Sequence, residues 1–297
     1  MRTRPLGSTG LRAGVVGLGC NNFGRRIDEN ASRAVIDAAL DAGIDFFDTA
    51  DTYGDGASEE IIGRALAGRR ERVVLATKFG GGQARGGHGS REFVRRALDA
   101  SLARLGTDWI DLYQHHQDDP DTPLAETVGA LEELVQEGRI RAYGTSNHSA
   151  ERLEEVASLA GNAYVTEQSQ YSWLRRDAER ELLPACERLG IGFVPYFPLA
   201  SGLLTGKVSY QNPPTEGTRL HGREIDDADL QRVERLRTLA GELGVSLLEL
   251  ALGGLLAQPG VLSVIPGATK PEQARANAAA GAWEPTAGQL AAVRAAS

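Results

Sequence analysis

The sequence predicts a (β/α)8 barrel. Eight short β-rich runs alternate with segments of helical periodicity, and no low-complexity linker divides the 297 residues. A length near 300 residues suits one α/β barrel, so residues 1–297 are taken as a single domain. A doubly wound open sheet is the alternative reading of the same alternation.

The opening RPLGSTGLRAGVVGLG places Gly7, Ser8 and Gly10 between two extended runs and reads as a β-hairpin ahead of the barrel. The barrel runs follow at 15–19, 44–48, 72–78, 109–114, 139–146, 163–168, 191–196 and 261–267. In REFVRRALDASLARLG, Phe93, Val94, Ala97, Leu98, Leu102 and Leu105 make one helical stripe. In TPLAETVGALEELVQEG the stripe is Leu124, Val128, Leu131, Leu134 and Val135. There Thr122 suits the cap, Pro123 the first helical position and Gly138 the end. The stretch 206–226 holds Pro213, Pro214 and Gly217 and reads as a long loop of the kind that carries function.

Net charge is −8 and no basic tract occurs, which argues against a nucleic-acid partner. Cys20 and Cys186 are too few for a disulfide framework, and no secretory signal is visible, so a cytoplasmic protein with reduced thiols is expected. The most apolar late segment, VSLLELALGGLLAQPG, is interrupted by Glu249 and too short to cross a bilayer, so no membrane partner is expected. No metal-ligand spacing is present.

Two nucleotide motifs nearly match and fail. GLGCNNFG has Asn22 where a third glycine belongs, and GLLTGKV has a short glycine spacing and Val208 in place of Ser or Thr. Lysine is more informative. Of 32 basic residues only Lys78, Lys207 and Lys270 are Lys, the rest being Arg. In so biased a chain these three are candidates for places where a compact ammonium is needed, on a proton path or on a phosphate.

Chemistry in such a barrel sits at the C-terminal ends of the strands. Those ends supply Asp48 with Tyr53 in the next loop, then Lys78, then His115 and His116, Ser146 and Asn147, Gln168, and Tyr196. Singly, a strand-end Asp caps a turn and a His packs. Four titratable groups at successive ends point instead to acid–base work. A phenol titrates near ~10. A buried ammonium beside it favours phenolate and is expected to lower that value, and an aspartate fixes the ammonium. A histidine orients a carbonyl oxygen and relays a proton.

With these residues in place the chain resembles the aldo-keto reductase family, and its bacterial NADP-dependent members in particular. FFDTADTYGDGASEEIIGRAL is similar to the family's segment around the catalytic Asp and Tyr, LATKF to the lysine strand, and DLYQHHQDDPDTPLAET to the strand-four block. The resemblance implies Tyr53, Asp48, Lys78 and His116 as catalytic residues, His116 being the sixth residue counted from Asp111. His115, on the opposite face by strand alternation, is read as packing.

The resemblance further implies a nicotinamide cofactor, NADP(H) in preference to NAD(H), and a small carbonyl substrate. Gly19 and Asp48 would lie against the cofactor. Ser146 and Asn147, with Gln168, would hold the nicotinamide amide, and Tyr196 would stack on its ring. Leu199, Ser201, Leu204, Gly206 and Lys207 would wrap the pyrophosphate, with Arg219 as a clamp. Gly267, Thr269 and Lys270 would meet the adenosine 2′-phosphate, and Gln273 and Asn277 the adenine. All three lysines then fall on proposed sites.

Phe197 and Ala200 depart from the smaller residues usual in the cofactor loop, and Gln273 replaces an Arg found in some branches. The loop 80–90, GGGQARGGHGS with the lysine strand's end, reads as solvated and flexible, with Arg85 and His88 as the alternative contacts for an anionic substrate. The short C-terminal segment implies an open site and broad carbonyl acceptance. Two other functions are kept. One is an NADP(H)-binding regulatory subunit like the potassium-channel β subunits. The other is a Schiff-base lyase using Lys78.

Overall fold

The structure, a computed structural model, describes residues 1–82, 86–216 and 218–297. The hairpin forms as expected: β1 (Thr3–Pro5) pairs antiparallel with β2 (Arg12–Gly14), Thr3 opposite Gly14. Its turn uses Gly7 and Gly10 at φ 53° and 80°, a region glycine enters without penalty.

Seven parallel strands follow in sequence order: β3 (Leu18–Gly19), β4 (Phe46–Asp48), β5 (Val74–Phe79), β6 (Ile110–His115), β7 (Ile140–Ser146), β8 (Tyr164–Gln170) and β9 (Gly192–Tyr196). The run 261–267 occupies the eighth place but makes only single parallel bridges, Val261 to Phe193 on one side and Val264 and Gly267 to Val16 and Gly19 on the other. Pro266 has no N–H to give a ladder. The ring is nonetheless closed by Leu262 N to Phe193 O at 2.7 Å and Gly17 N to Val264 O at 2.8 Å. Gly19 is obligatory at this junction, since a Cβ there would stand 2.7 Å from Ile265 O.

Ten α-helices are present among the described residues: α1 (Glu29–Asp41), α2 (Ala57–Leu66), α3 (Arg91–Leu105), α4 (Leu124–Gln136), α5 (Ala150–Leu159), α6 (Leu182–Leu189), α7 (Asp227–Glu242), α8 (Leu247–Leu256), α9 (Pro271–Ala280) and α10 (Ala287–Ala296). In α3 the predicted stripe buries Val94, Leu98, Leu102 and Leu105, with Phe93 and Ala97 packed at its edge. In α4, Thr122 is not the cap. Its hydroxyl donates to Asp119 Oδ2 at 2.7 Å, and the helix starts after Pro123 without a side-chain cap. Gly138 ends it at φ 71°.

Strand alternation makes two cores. Inward residues such as Phe46, Ala76, Leu112, Ala142 and Val194 join Leu6 and Ala13 of the hairpin, which plugs the lower barrel with apolar side chains. Outward residues Phe47, Phe79, Tyr113, Tyr143 and Phe193 form the larger core beneath the helices. The inward positions become polar towards the strands' C-terminal ends, where the same face carries Asp48, Lys78, Gln114 and, one step further on, Ser146. The segment 206–226 contains no helix or strand among its described residues.

Candidate active site

Lys78 is fully buried, 0 % exposed, on the floor of the upper barrel. Its Nζ donates to Asp48 Oδ2 at 2.7 Å and to Thr49 O at 2.8 Å. Asp48 Oδ1 accepts from Gln168 Nε2 at 2.8 Å and from Gln114 Nε2 at 3.3 Å. Both members of the buried ion pair thus carry further hydrogen bonds, the condition under which such a pair is tolerated. The Lys78 ammonium lies 5.1 Å from the centre of the Tyr53 ring, which meets the His116 ring in a T-shaped contact with centroids 6.2 Å apart.

Electrostatics divide these four groups. Burial pulls Lys78 towards neutrality, but Asp48 and Tyr53 outweigh it and hold its pKa above the usual value. An ammonium spent on Asp48 and Thr49 does not favour the lyase reading, which needs a free amine. Burial raises the Tyr53 phenol, and the opposing pull of Lys78 does not overcome it. The expected net lowering therefore does not occur, and Tyr53 is a protonated acid. Burial, then Lys78, push His116 down to about 3, so it is a neutral ring that orients rather than relays a proton as an imidazolium.

His115 points outward, stacked on Phe79 with centroids 5.0 Å apart, and its Nε2 is 3.3 Å from His88 Nδ1. The packing role expected of it is what the geometry gives. His88 is buried, which corrects both readings of the 80–90 loop in that part. Asp119 accepts from Gly87 N at 3.1 Å and Gly89 N at 2.7 Å and anchors the segment. Arg85 lies outside the described residues.

Above the floor opens a cavity of about 1040 Å³. It is bordered by Gly19, Asp48, Tyr53, His116, Ser146, Asn147, Gln168, Tyr196, Leu199, Ser201, Lys207, Arg219, Gly267, Thr269, Lys270, Gln273 and Asn277, all expected at a site. Two expected residues are elsewhere: Leu204 is in the apolar core, and Gly206 ends the preceding turn at φ 82°, its carbonyl taken by Arg237 at 3.0 Å. All three lysines of the chain border or underlie this one space.

The sequence reading missed Asn21 and Asn22. Their Oδ1 atoms each accept from Arg219 Nη2 at 3.0 Å, and Arg219 stacks on Phe197 at 5.2 Å. The same Asn22 that broke the glycine motif therefore holds a cation over the cavity. Burial and the nearby Arg26, Arg25 and Arg223 all lower the proton affinity of Arg219, which marks that end as strongly positive. Gln273 folds back, its Oε1 accepting from Thr269 N at 2.7 Å and Oγ1 at 3.1 Å. Gly81 was also missed: a Cβ there would run into the His116 ring.

A half-buried acid stands behind the site. Asp51, between Asp48 and Tyr53, has its carboxyl pushed up to about 6 by burial and by the adjacent Glu59. Its Oδ1 is buried without a hydrogen-bond partner, while Glu59 is held by Thr77 at 2.5 Å and Arg104 at 2.7 Å. An unfolded Asp titrates near ~3.9, so this group removes stability as pH rises from about 4 through about 6. Asp51→Asn is expected to gain about 1–2 kcal/mol above pH ~7 and nothing at pH ~4, read from denaturant melts at both pH values.

The residues fit a dinucleotide. The cavity matches the upper end of the roughly 300–1,000 Å³ common for small-molecule sites. Lys207, Arg219 and Lys270 offer cations to phosphates, Tyr196 an aromatic face, and Ser146 and Asn147 a polar turn. Among the described residues no single helix is long and apolar enough to cross a membrane.

Comparison with known proteins agrees with this geometry. The Aldo/keto reductase family model matches residues 15–297. A rice protein named probable voltage-gated potassium channel subunit beta is 38% identical over 291 residues, covering 92% of this chain and 89% of its own. The L-glyceraldehyde 3-phosphate reductase of Escherichia coli O157:H7 is 34% identical over 301 residues, covering 93% and 86%. The holo structure of aldo-keto reductase AKR11C1 from Bacillus halodurans superposes with a TM-score of 0.85 at 35% identity, covering 100% of this chain and 96% of that one. A barrel with this polar floor, matched by the family model over nearly its whole length, makes the chain a member of the aldo/keto reductase family of oxidoreductases.

Proposed function

We propose that the protein is an NADPH-dependent reductase of aldehyde and ketone carbonyls. The observation that carries this is the buried Asp48–Lys78 pair beneath Tyr53 and His116, opening into a cavity with cations at its far end. NADPH bound there supplies a hydride to the carbonyl carbon. Lys207 and Arg219 would hold its diphosphate, Thr269 and Lys270 its 2′-phosphate, and Tyr196 its ring. The neutral His116 orients the carbonyl oxygen. Tyr53 gives that oxygen its proton, and Lys78, fixed by Asp48, stabilises the phenolate left behind. The preference for NADP(H) over NAD(H) rests on Lys270 and Thr269.

The test is oxidation of NADPH, followed by its own absorbance beside NADH, against an aldehyde and ketone panel. Glyceraldehyde 3-phosphate belongs on that panel because of the Escherichia coli relative's name. Turnover with NADPH supports the reading. Tight NADPH binding without turnover on any member favours the second reading, a cofactor-binding regulatory subunit, which the rice relative's name keeps in view.

Gly81→Ala is expected to displace the His116 ring and to lower kcat/KM by about 10²-fold, the usual cost of an ångström-scale misplacement. Gly81 is not among the positive-φ glycines, so alanine fits its backbone. NADPH affinity and melting temperature should stay near wild type, measured by fluorescence titration and by circular dichroism.

A further inference from the structure

The chain leaves β7 through a turn whose backbone is held by side chains rather than by a ladder. Asn147 stands there at φ 61°, a left-handed conformation unusual outside glycine, and its N–H is taken by Gln168 O at 3.1 Å. The next N–H, that of His148, donates to Glu167 Oε1 at 3.3 Å. The His148 ring turns back, its Nδ1 donating to Ser146 O at 3.0 Å, since a carbonyl can only accept. Neighbouring residues of β8, Glu167 and Gln168, thus grip one turn from two sides.

Alternation along the strand separates those sides. Gln168 borders the cavity together with Ser146 and Asn147, whereas Glu167 and His148 do not. Glu167 is 0 % exposed. Besides His148 N, its carboxyl accepts from Ser169 Oγ at 2.6 Å and, at the other oxygen, from Thr145 Oγ1 at 2.6 Å. Thr145 lies directly opposite it in the β7–β8 register. These partners are two hydroxyls and a backbone N–H, with no lysine or arginine among them. Enclosing a carboxyl in this way is costly, and an apolar side chain would serve for packing alone. An apolar side chain could not take the His148 N–H. The bonds lie outside the barrel wall, so a ligand filling the cavity touches none of them.

We infer that Glu167 is a positioning residue: from outside the wall its carboxyl fastens the turn of Ser146, Asn147 and His148, and so fixes where that turn meets the nicotinamide end of the cofactor. The inference rests on the NADP(H) reading for its effect on binding, and on the hydrogen bonds alone for the hold on the turn.

Glu167→Met removes both acceptor oxygens and keeps an unbranched side chain. Glu167→Gln is the conservative partner. Its one carbonyl oxygen can still take the His148 N–H, while Thr145 can turn its hydroxyl to Tyr164 Oη, 2.9 Å away. Two ligands, titrated calorimetrically into the full-length protein, separate a positioning role from general loosening. They are NADP⁺ and 2′,5′-ADP, which carries the adenosine phosphates and no nicotinamide. Glu167→Met is expected to weaken NADP⁺ about five- to tenfold, the effect of one lost hydrogen bond, and 2′,5′-ADP by less than about twofold. Glu167→Gln should bind NADP⁺ within about threefold of wild type. Hydrogen–deuterium exchange without ligand is the second readout. The segment from Thr145 to Ser149 should exchange faster in Glu167→Met than in wild type, and no faster in Glu167→Gln. If Glu167→Met does not fold, Glu167→Asp, which withdraws the carboxyl by one methylene, takes its place with the same expectations.

Wild-type NADP⁺ affinity in Glu167→Met, equal losses for the two ligands, or a Glu167→Gln variant as weak as Glu167→Met would each overturn the inference. So would unchanged exchange of the turn in Glu167→Met. A wild type that binds neither ligand fails the cofactor reading instead, and the exchange comparison still decides the hold on the turn.

Discussion

Tyr53→Phe is expected to lower turnover on the order of 10²-fold or more while NADPH still binds. The substitution removes one oxygen and leaves the ring that meets His116 in a T-shaped contact. Neither Lys78 nor His116, the other two groups beside it, is suited to give the carbonyl oxygen its proton. Lys78 is enclosed by Asp48 and Thr49, and His116 stays neutral. The pH profile separates this from a packing effect. Burial holds the phenol above its ordinary value, so it is protonated across the neutral range and loses its proton only in alkali. Reduction by wild type should therefore hold up through neutral pH and fall on the alkaline side, and the residual rate of Tyr53→Phe should lack that fall. No inflection near 6.5 should arise from His116, whose titration lies near 3. A shallow step near 6 would belong to Asp51 and should vanish in Asp51→Asn. Near-wild-type turnover in Tyr53→Phe would remove the phenol from the reaction.

Lys78→Met should fail in two ways at once. The ammonium proposed to stabilise the phenolate is gone, and Asp48 is left as a buried charge without its cation. Breaking one side of such a pair costs about 3–5 kcal/mol, a fall in melting temperature on the order of 10 °C for a chain of this size. Adding Asp48→Asn to Lys78→Met removes the orphaned charge. The double variant should regain much of the lost stability and none of the lost turnover. Stability that stays low in the double variant would mean that packing around the lysine stem, not the charge of Asp48, sets the cost.

The polar floor of the upper barrel was legible because strand geometry is local. Once β4 and β5 are recognised, a period of two dictates that Asp48 shares a face with Phe46 and Lys78 with Ala76, whereas His116, one residue beyond β6, followed from the resemblance. The same rule sent His115 to the other side, where it packs on Phe79. What stayed hidden depends on contacts between distant segments. Gly81 looks like one more loop glycine until the His116 ring is laid against it. Asn22 spoiled a familiar motif, and only the fold brings Arg219 to its oxygen across 197 positions. The eighth run has strand composition, yet its register against two neighbours leaves it single bridges. The sign of the Tyr53 shift was misjudged for a different reason. Sequence identified the cation that lowers it but not the depth of burial that raises it more. Leu204 likewise sits in a segment that wraps the cavity, while its side chain is spent on the core.

The scarcity of lysine makes this surface chemically addressable. Lys78 is sealed, so an acylating reagent aimed at primary amines finds only the N-terminus and the two exposed lysines, Lys207 and Lys270, both on the cavity rim. On most proteins such labelling scatters over the surface and says little about any one place. Here every side-chain amine within reach stands on the rim of the same opening, so the extent of acylation is itself a gauge of whether that opening is filled.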